Sequence, residues 1–134
     1  MLARPLGWSA RELEMAAVLA RYHRGALPRP RGKTMQVLEL PDRRVAMELA
    51  GVLRLANALD SRPENKNENT PRLEVHLQDH FVEVQVAGYS ALERSSESVA
   101  AARHLLETVL HRPVLVRGLR SAGGGRESAG RAIA

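Results

Sequence analysis

"ELAGVLRLANALDSR", residues 48–62, decides how the chain is read. With Val45 just upstream, Leu49, Val52, Ala56 and Leu59 recur at helical spacing, while Arg54 falls opposite and Asn57 towards the polar side. Pro41 and Asp42 supply a start signal, so the stretch is the second half of a long amphipathic helix whose apolar stripe is expected in the core. It also raises a question of chemistry. Asp60 and Asn57 are three residues apart on one helix, where two carboxylates could converge on a cation; an asparagine is a poor ligand for a hard cation.

Outward to the N-terminus, Trp8, Ser9 and Glu12 open an earlier helix: Ser9 caps it, Glu12 reaches back, and Trp8 staples against Leu13. Leu13 to Tyr22 is nearly all apolar or alanine, which predicts burial on most sides. Residues 26–40 carry Pro28, Pro30 and Gly32 and read as a loop. Outward to the C-terminus, residues 61–71 are polar and proline-bounded. The period then changes from 3.6 to 2: Leu73, Val75 and Leu77 alternate with polar residues, as do Val82, Val84 and Val86, and "QDH" (78–80) between them suits a hairpin. Ser90 and Glu93 form a second capping-box pattern, predicting a helix to about His111 that carries Leu92, Val99, Ala102, Leu106 and Val109. Pro113 stops it, and Val114 to Arg117 is a third strand. The expectation is an α+β protein with a helical segment over 1–62, a linker over 63–71, a small ββαβ lobe over 72–118 and a disordered tail over 119–134.

The 134 residues are enough for one compact unit with a real core. No apolar run approaches the length of a membrane span, and Arg4, Pro5 and Gly7 interrupt any N-terminal leader, so a cytoplasmic location is the default. The absence of cysteine excludes disulfides and thiolate metal sites. Of the 20 basic residues behind the formal charge of +5, 18 are arginine, which suits planar recognition of phosphate, although a GC-rich genome produces the same bias. Only four aromatic residues are present, too few for a base-stacking platform, which argues against single-stranded nucleic acid.

Chemistry concentrates in "RYHRGALPRPRGK", residues 21–33, where Arg21, Arg24, Arg29, Arg31 and Lys33 accompany His23 without an acid. Such a cluster binds a polyanion by displacing counterions, and a merely solvated basic loop is the competing reading. His23 ends a helix, so it is a metal ligand, a phosphate contact or only a complement to the helix dipole. His76, His80, His104 and His111 show no ligand-pair spacing and read as surface residues. No Walker motif or nucleophile elbow is present, and "GGGR" (123–126) lies in the tail.

"GWSARELEMAAVLARYHRGALP" (7–28) and "ELAGVLRLANALDSR" (48–62) together resemble the C-terminal part of the exopolyphosphatase and guanosine pentaphosphate phosphatase family, and "AARHLLETVLHRPVLVR" (101–117) resembles its last helix and strand. The resemblance runs collinearly over roughly residues 7 to 118. It implies a partial HD-like helical segment followed by the small lobe, with the actin-like lobes, their catalytic glutamate and a divalent metal such as Mg belonging to parts not in this chain. His23 matches the histidine of the family's "YHr", Arg54 the arginine of "LRlA" and Asp60 the aspartate of "LD". Asn57 departs from it, standing where the family has aspartate. By this resemblance Arg21, His23, Arg24, Arg29, Arg31, Lys33 and Arg54 line a basic channel for polyphosphate or a guanosine polyphosphate. The chain would form homodimers, and would hold no catalytic residue, metal or cofactor of its own. Two other readings stay open: an HD-like metal phosphohydrolase using His23 and Asp60, and a protein-interaction module whose basic loop is incidental.

Overall fold

The computed structural model describes residues 7–60, 72–92 and 96–119, and over these the chain forms three helices and a three-stranded mixed sheet, an α+β arrangement. The expected linker over 63–71 and the tail from 120 onward lie outside the described residues.

Helix α1 spans Ala10–Tyr22 and begins where the capping residues place it. The Ser9 N–H donates to the Glu12 carboxylate at 2.7 Å, and the Glu12 N–H donates to Ser9 Oγ at 3.2 Å. The bonds that the Ser9 N–H and the Ser9 hydroxyl donate to the Glu12 carboxylate hold it below the usual range. Burial on most sides is not what α1 shows. It buries Val18 and Tyr22, with Met15 and Leu19 half-covered, because it has one neighbouring helix and the segment around a 3₁₀ turn at Met35–Val37 to pack against. Met35 and Leu38 from that segment are buried, so the predicted loop contributes to the core.

Helix α2, Leu40–Asp60, keeps Leu59 of the predicted stripe in the core and overturns the rest. Val45, Leu49, Val52 and Ala56 are exposed, Val52 to 51%. Apart from Asp42, the buried residues are Ala46, Ala50, Gly51, Leu55 and Leu59. The physical reason is close approach: α1 lies over the alanines and α3 over the glycine, and small residues let helices come near. A Cβ on Gly51 would stand 3.0 Å from Leu106 Cδ1 and 3.3 Å from Leu106 Cα, so the α2–α3 crossing is set by the missing methyl.

Strand β1 (Leu73–Leu77) pairs antiparallel with β2 (Val82–Val86), and β2 pairs parallel with β3 (Val114–Gly118) through α3. Val82, Val84, Val86 and Val114 form one core with Leu55, Leu59, Val99, Ala102 and Leu106. Leu73, Val75 and Leu77 oppose Val86, Val84 and Val82 and share their side of the sheet, yet all three are exposed, so the helical layer stops short of this edge strand.

Helix α3 is Ser96–Leu110, later than the capping-box pattern at Ser90 indicated. Ser90 Oγ accepts from the Leu92 N–H at 3.3 Å, and Leu92 is 97% exposed; the predicted partner Glu93 lies outside the described residues. The helix ends at His111, whose φ of +53° is left-handed.

One ion pair ties the two helix N-termini together. Arg11 donates from Nε and Nη2 to both carboxylate oxygens of the buried Asp42. The Arg11 hydrogen bond holds the Asp42 carboxyl below its ordinary range. The pair therefore stabilises the fold above the unfolded carboxylate pKa of about 3.9 and is lost as pH falls through the lower folded value. Urea midpoints measured against pH are expected to fall more steeply below about pH 4 in the native protein than in Asp42→Asn; parallel curves would contradict this role for the pair.

Candidate functional site

The last carbonyls of a helix have no partners within it. At the end of α1 they are met from α2. Arg54 Nη1 donates to the carbonyls of Tyr22 at 3.0 Å and Ala26 at 3.2 Å, and Nη2 donates to that of Gly25 at 3.0 Å. Gly25, with φ of +65°, makes the left-handed turn that lets these carbonyls converge on one guanidinium. One turn further along α2, Asn57 Nδ2 donates to the His23 carbonyl at 3.2 Å. That contact accounts for the amide at this position: an ionised aspartate has no hydrogen to donate and would set its charge against a carbonyl oxygen. His23 Nδ1 lies 2.6 Å from the Ala20 carbonyl, which makes Nδ1 the protonated nitrogen and leaves Nε2 as the ring's other polar atom.

Beside this junction a cleft of about 860 Å³ opens between the end of α1, the C-terminal half of α2 and the N-terminal half of α3. His23, Arg24, Arg54 and His104 line it, with Asn57 and Ser98 as further polar groups and no carboxylate. Arg24 has no ion-pair partner among the described residues. A second cleft of about 540 Å³ lies beside the N-terminal half of α2 and the C-terminal half of α3. Arg31, Arg43, Arg44 and His111 line it, again without a carboxylate, although Glu48 pairs with Arg44 at 3.1 Å from outside it.

The structure thus divides the residues singled out in sequence. His23, Arg24 and Arg54 meet in the first cleft, Arg31 sits in the second, and Arg21, Arg29 and Lys33 are exposed and line neither. The fork of Arg54 is occupied by carbonyls. Sequence reasoning missed His104 and His111 and the Arg43–Arg44 pair. The available signal was spacing, since residues seven apart share a helical side. Among the described residues no group of three or more His, Asp or Glu is placed to hold a metal ion, and no helix is long and apolar enough to cross a membrane.

If Asn57 and Arg54 close the end of α1, Asn57→Asp is expected to destabilise the protein by about 1–3 kcal/mol, as is Arg54→Lys, which keeps the charge and loses the fork. Urea unfolding measures both, and an Asn57→Asp midpoint equal to the native one would sink the assignment. Compared with known proteins, the chain matches no family model, no curated protein and no solved structure at a significant level.

Proposed function

We propose that the chain binds phosphate-rich polyanions such as polyphosphate or a guanosine polyphosphate, as an accessory domain of the exopolyphosphatase type with an HD-like helical part, and that phosphoanhydride hydrolysis resides outside it. The observation that supports this reading is the first cleft, whose ionisable lining is four basic side chains with no acid. Arg24 offers a planar fork to phosphate oxygens and His104 adds an imidazole N–H, while His23, whose Nδ1–H is given to the Ala20 carbonyl, lines the wall. Arg54 contributes charge while its donors hold the wall in place.

Titration with short-chain polyphosphate at several salt concentrations tests it. Affinity is expected to fall as salt rises, because each phosphate contact releases a counterion, and Arg24→Ala is expected to weaken binding several-fold. Binding that ignores both salt and Arg24 would refute the reading, and metal-dependent turnover of polyphosphate by the pure chain would refute its accessory character.

Homodimerisation, the other property the family resemblance implies, has a candidate surface in the exposed stripe of α2. The steps between Val45, Leu49, Val52 and Ala56 are four, three and four, so the pattern reads alike from both ends, and an antiparallel copy would meet its own spacing with opposed helix dipoles. Arg54 is two residues, about 200° of helix, from Val52, so the stripe and the cleft lie on opposite sides of α2. Leu49→Glu is expected to shift sedimentation equilibrium to the monomer and leave polyphosphate affinity within about twofold; an unchanged mass distribution, dimeric or monomeric in both proteins, would reject this interface.

A further inference from the structure

We propose that the second cleft is the site of a small amphipathic acid, an apolar chain that ends in one carboxylate. It stands apart from the anion reading of the first cleft and goes beyond it. The cleft has two kinds of wall. On α2, Leu40, Arg43, Arg44 and Met47 fall at positions i, i+3, i+4 and i+7 and so share one helical side; Thr108 and Val109 near the end of α3 and Pro30 and Arg31 of the loop complete the lining with His111. Pro30, Leu40, Met47 and Val109 make the apolar wall. Met47 also packs on the cluster that holds Met35 and Leu38, so this wall is continuous with the core.

The hydrogen bonds of the other residues show what is open to a ligand. Arg43 Nε donates to the Leu38 carbonyl at 2.9 Å, which fixes the guanidinium and leaves its two terminal nitrogens without a partner among the described residues. The side chains of Arg31 and His111 likewise have no partner among the described residues, whereas Arg44 is matched by Glu48 at 3.1 Å. Thr108, the neutral polar side chain of the lining, gives its hydroxyl hydrogen to the His104 carbonyl at 2.9 Å. The cleft therefore offers donors to an anionic head and apolar carbon to a body, with no neutral side-chain donor left between them. A sugar, a nucleoside or a peptide backbone would bring polar groups that this lining leaves unpaired. An anion charged along its whole length would set that charge against the apolar wall. The two terminal nitrogens of one guanidinium match the two oxygens of one carboxylate. A volume of about 540 Å³ lies within the range of small-molecule sites, about 300–1,000 Å³.

Titration of the isotope-labelled protein with octanoate, acetate and octanol, followed by amide NMR shifts, tests the proposal. Octanoate is expected to move the signals of Arg31, Met47 and Val109. It is expected to bind at least about tenfold more tightly than acetate, which lacks the body, and than octanol, which lacks the charge. Arg31→Ala and Leu40→Ser both change exposed side chains, so the melting temperature is expected to hold while octanoate affinity falls at least about fivefold in each. Arg24→Ala, in the first cleft, is expected to leave octanoate affinity unchanged, so that either cleft can fail without the other. Octanol or acetate binding as tightly as octanoate would overturn the proposal. So would shifts centred on Val52 and Ala56, which would mark adsorption to the exposed stripe of α2, or variants at Arg31 and Leu40 that bind octanoate as the native protein does.

Discussion

The crossing of α2 and α3 at Gly51 is the constraint on which the rest of the molecule depends. With Leu106 Cα only 3.3 Å from where a Cβ would stand, the two backbones meet at a separation that side chains would forbid. Forcing an extra methyl into such a contact costs about 1–3 kcal/mol, so the position sets geometry as well as stability. The closeness matters because α2 belongs to both apolar clusters. Its Ala46 and Ala50 lie with Val18, Tyr22, Met35 and Leu38, and its Leu55 and Leu59 lie with the sheet and α3. One helix of 21 residues thereby fixes the end of α1 relative to α3, and both clefts are gaps along that seam.

Much of this architecture was legible in local signals. The capping box at Ser9 starts α1 where it should, and the alternation at Leu73–Leu77 and Val82–Val86 marks the hairpin, because these features depend on nearest neighbours. The side of α2 that is buried was not legible. The helix carries a stripe of valine and leucine and another of alanine and glycine, and hydropathy alone selects the larger residues. Close packing selected the smaller ones.

The site was legible as a charge run and illegible as a geometry. Counting basic residues over 21–33 finds Arg24 and Arg31, yet it cannot show that Arg21, Arg29 and Lys33 line neither cleft. Arg43 and Arg44, ten residues downstream of the run, join Arg31 only through tertiary packing. His104 and His111 were discounted for lacking the spacing of metal ligands. The proposed anion contact makes no such demand; it asks only that hydrogen-bonding side chains recur along one side of a scaffold, as a seven-residue step on a helix provides.

An anion in the proposed first cleft would lie against the end of α1. A helix C-terminus carries partial negative charge on its unpaired carbonyls and ordinarily repels phosphate. In this protein several carbonyls at that end and just beyond it are engaged: Tyr22, Gly25 and Ala26 by Arg54, His23 by Asn57, and Ala20 by the His23 ring. The wall that would be electronegative is converted into one whose outward groups are guanidinium, amide and imidazole. Within "LRLANALD", therefore, the arginine and the asparagine act together, one supplying charge and the other a hydrogen that aspartate lacks. The residue that departs from the family resemblance is the one that this electrostatic arrangement needs.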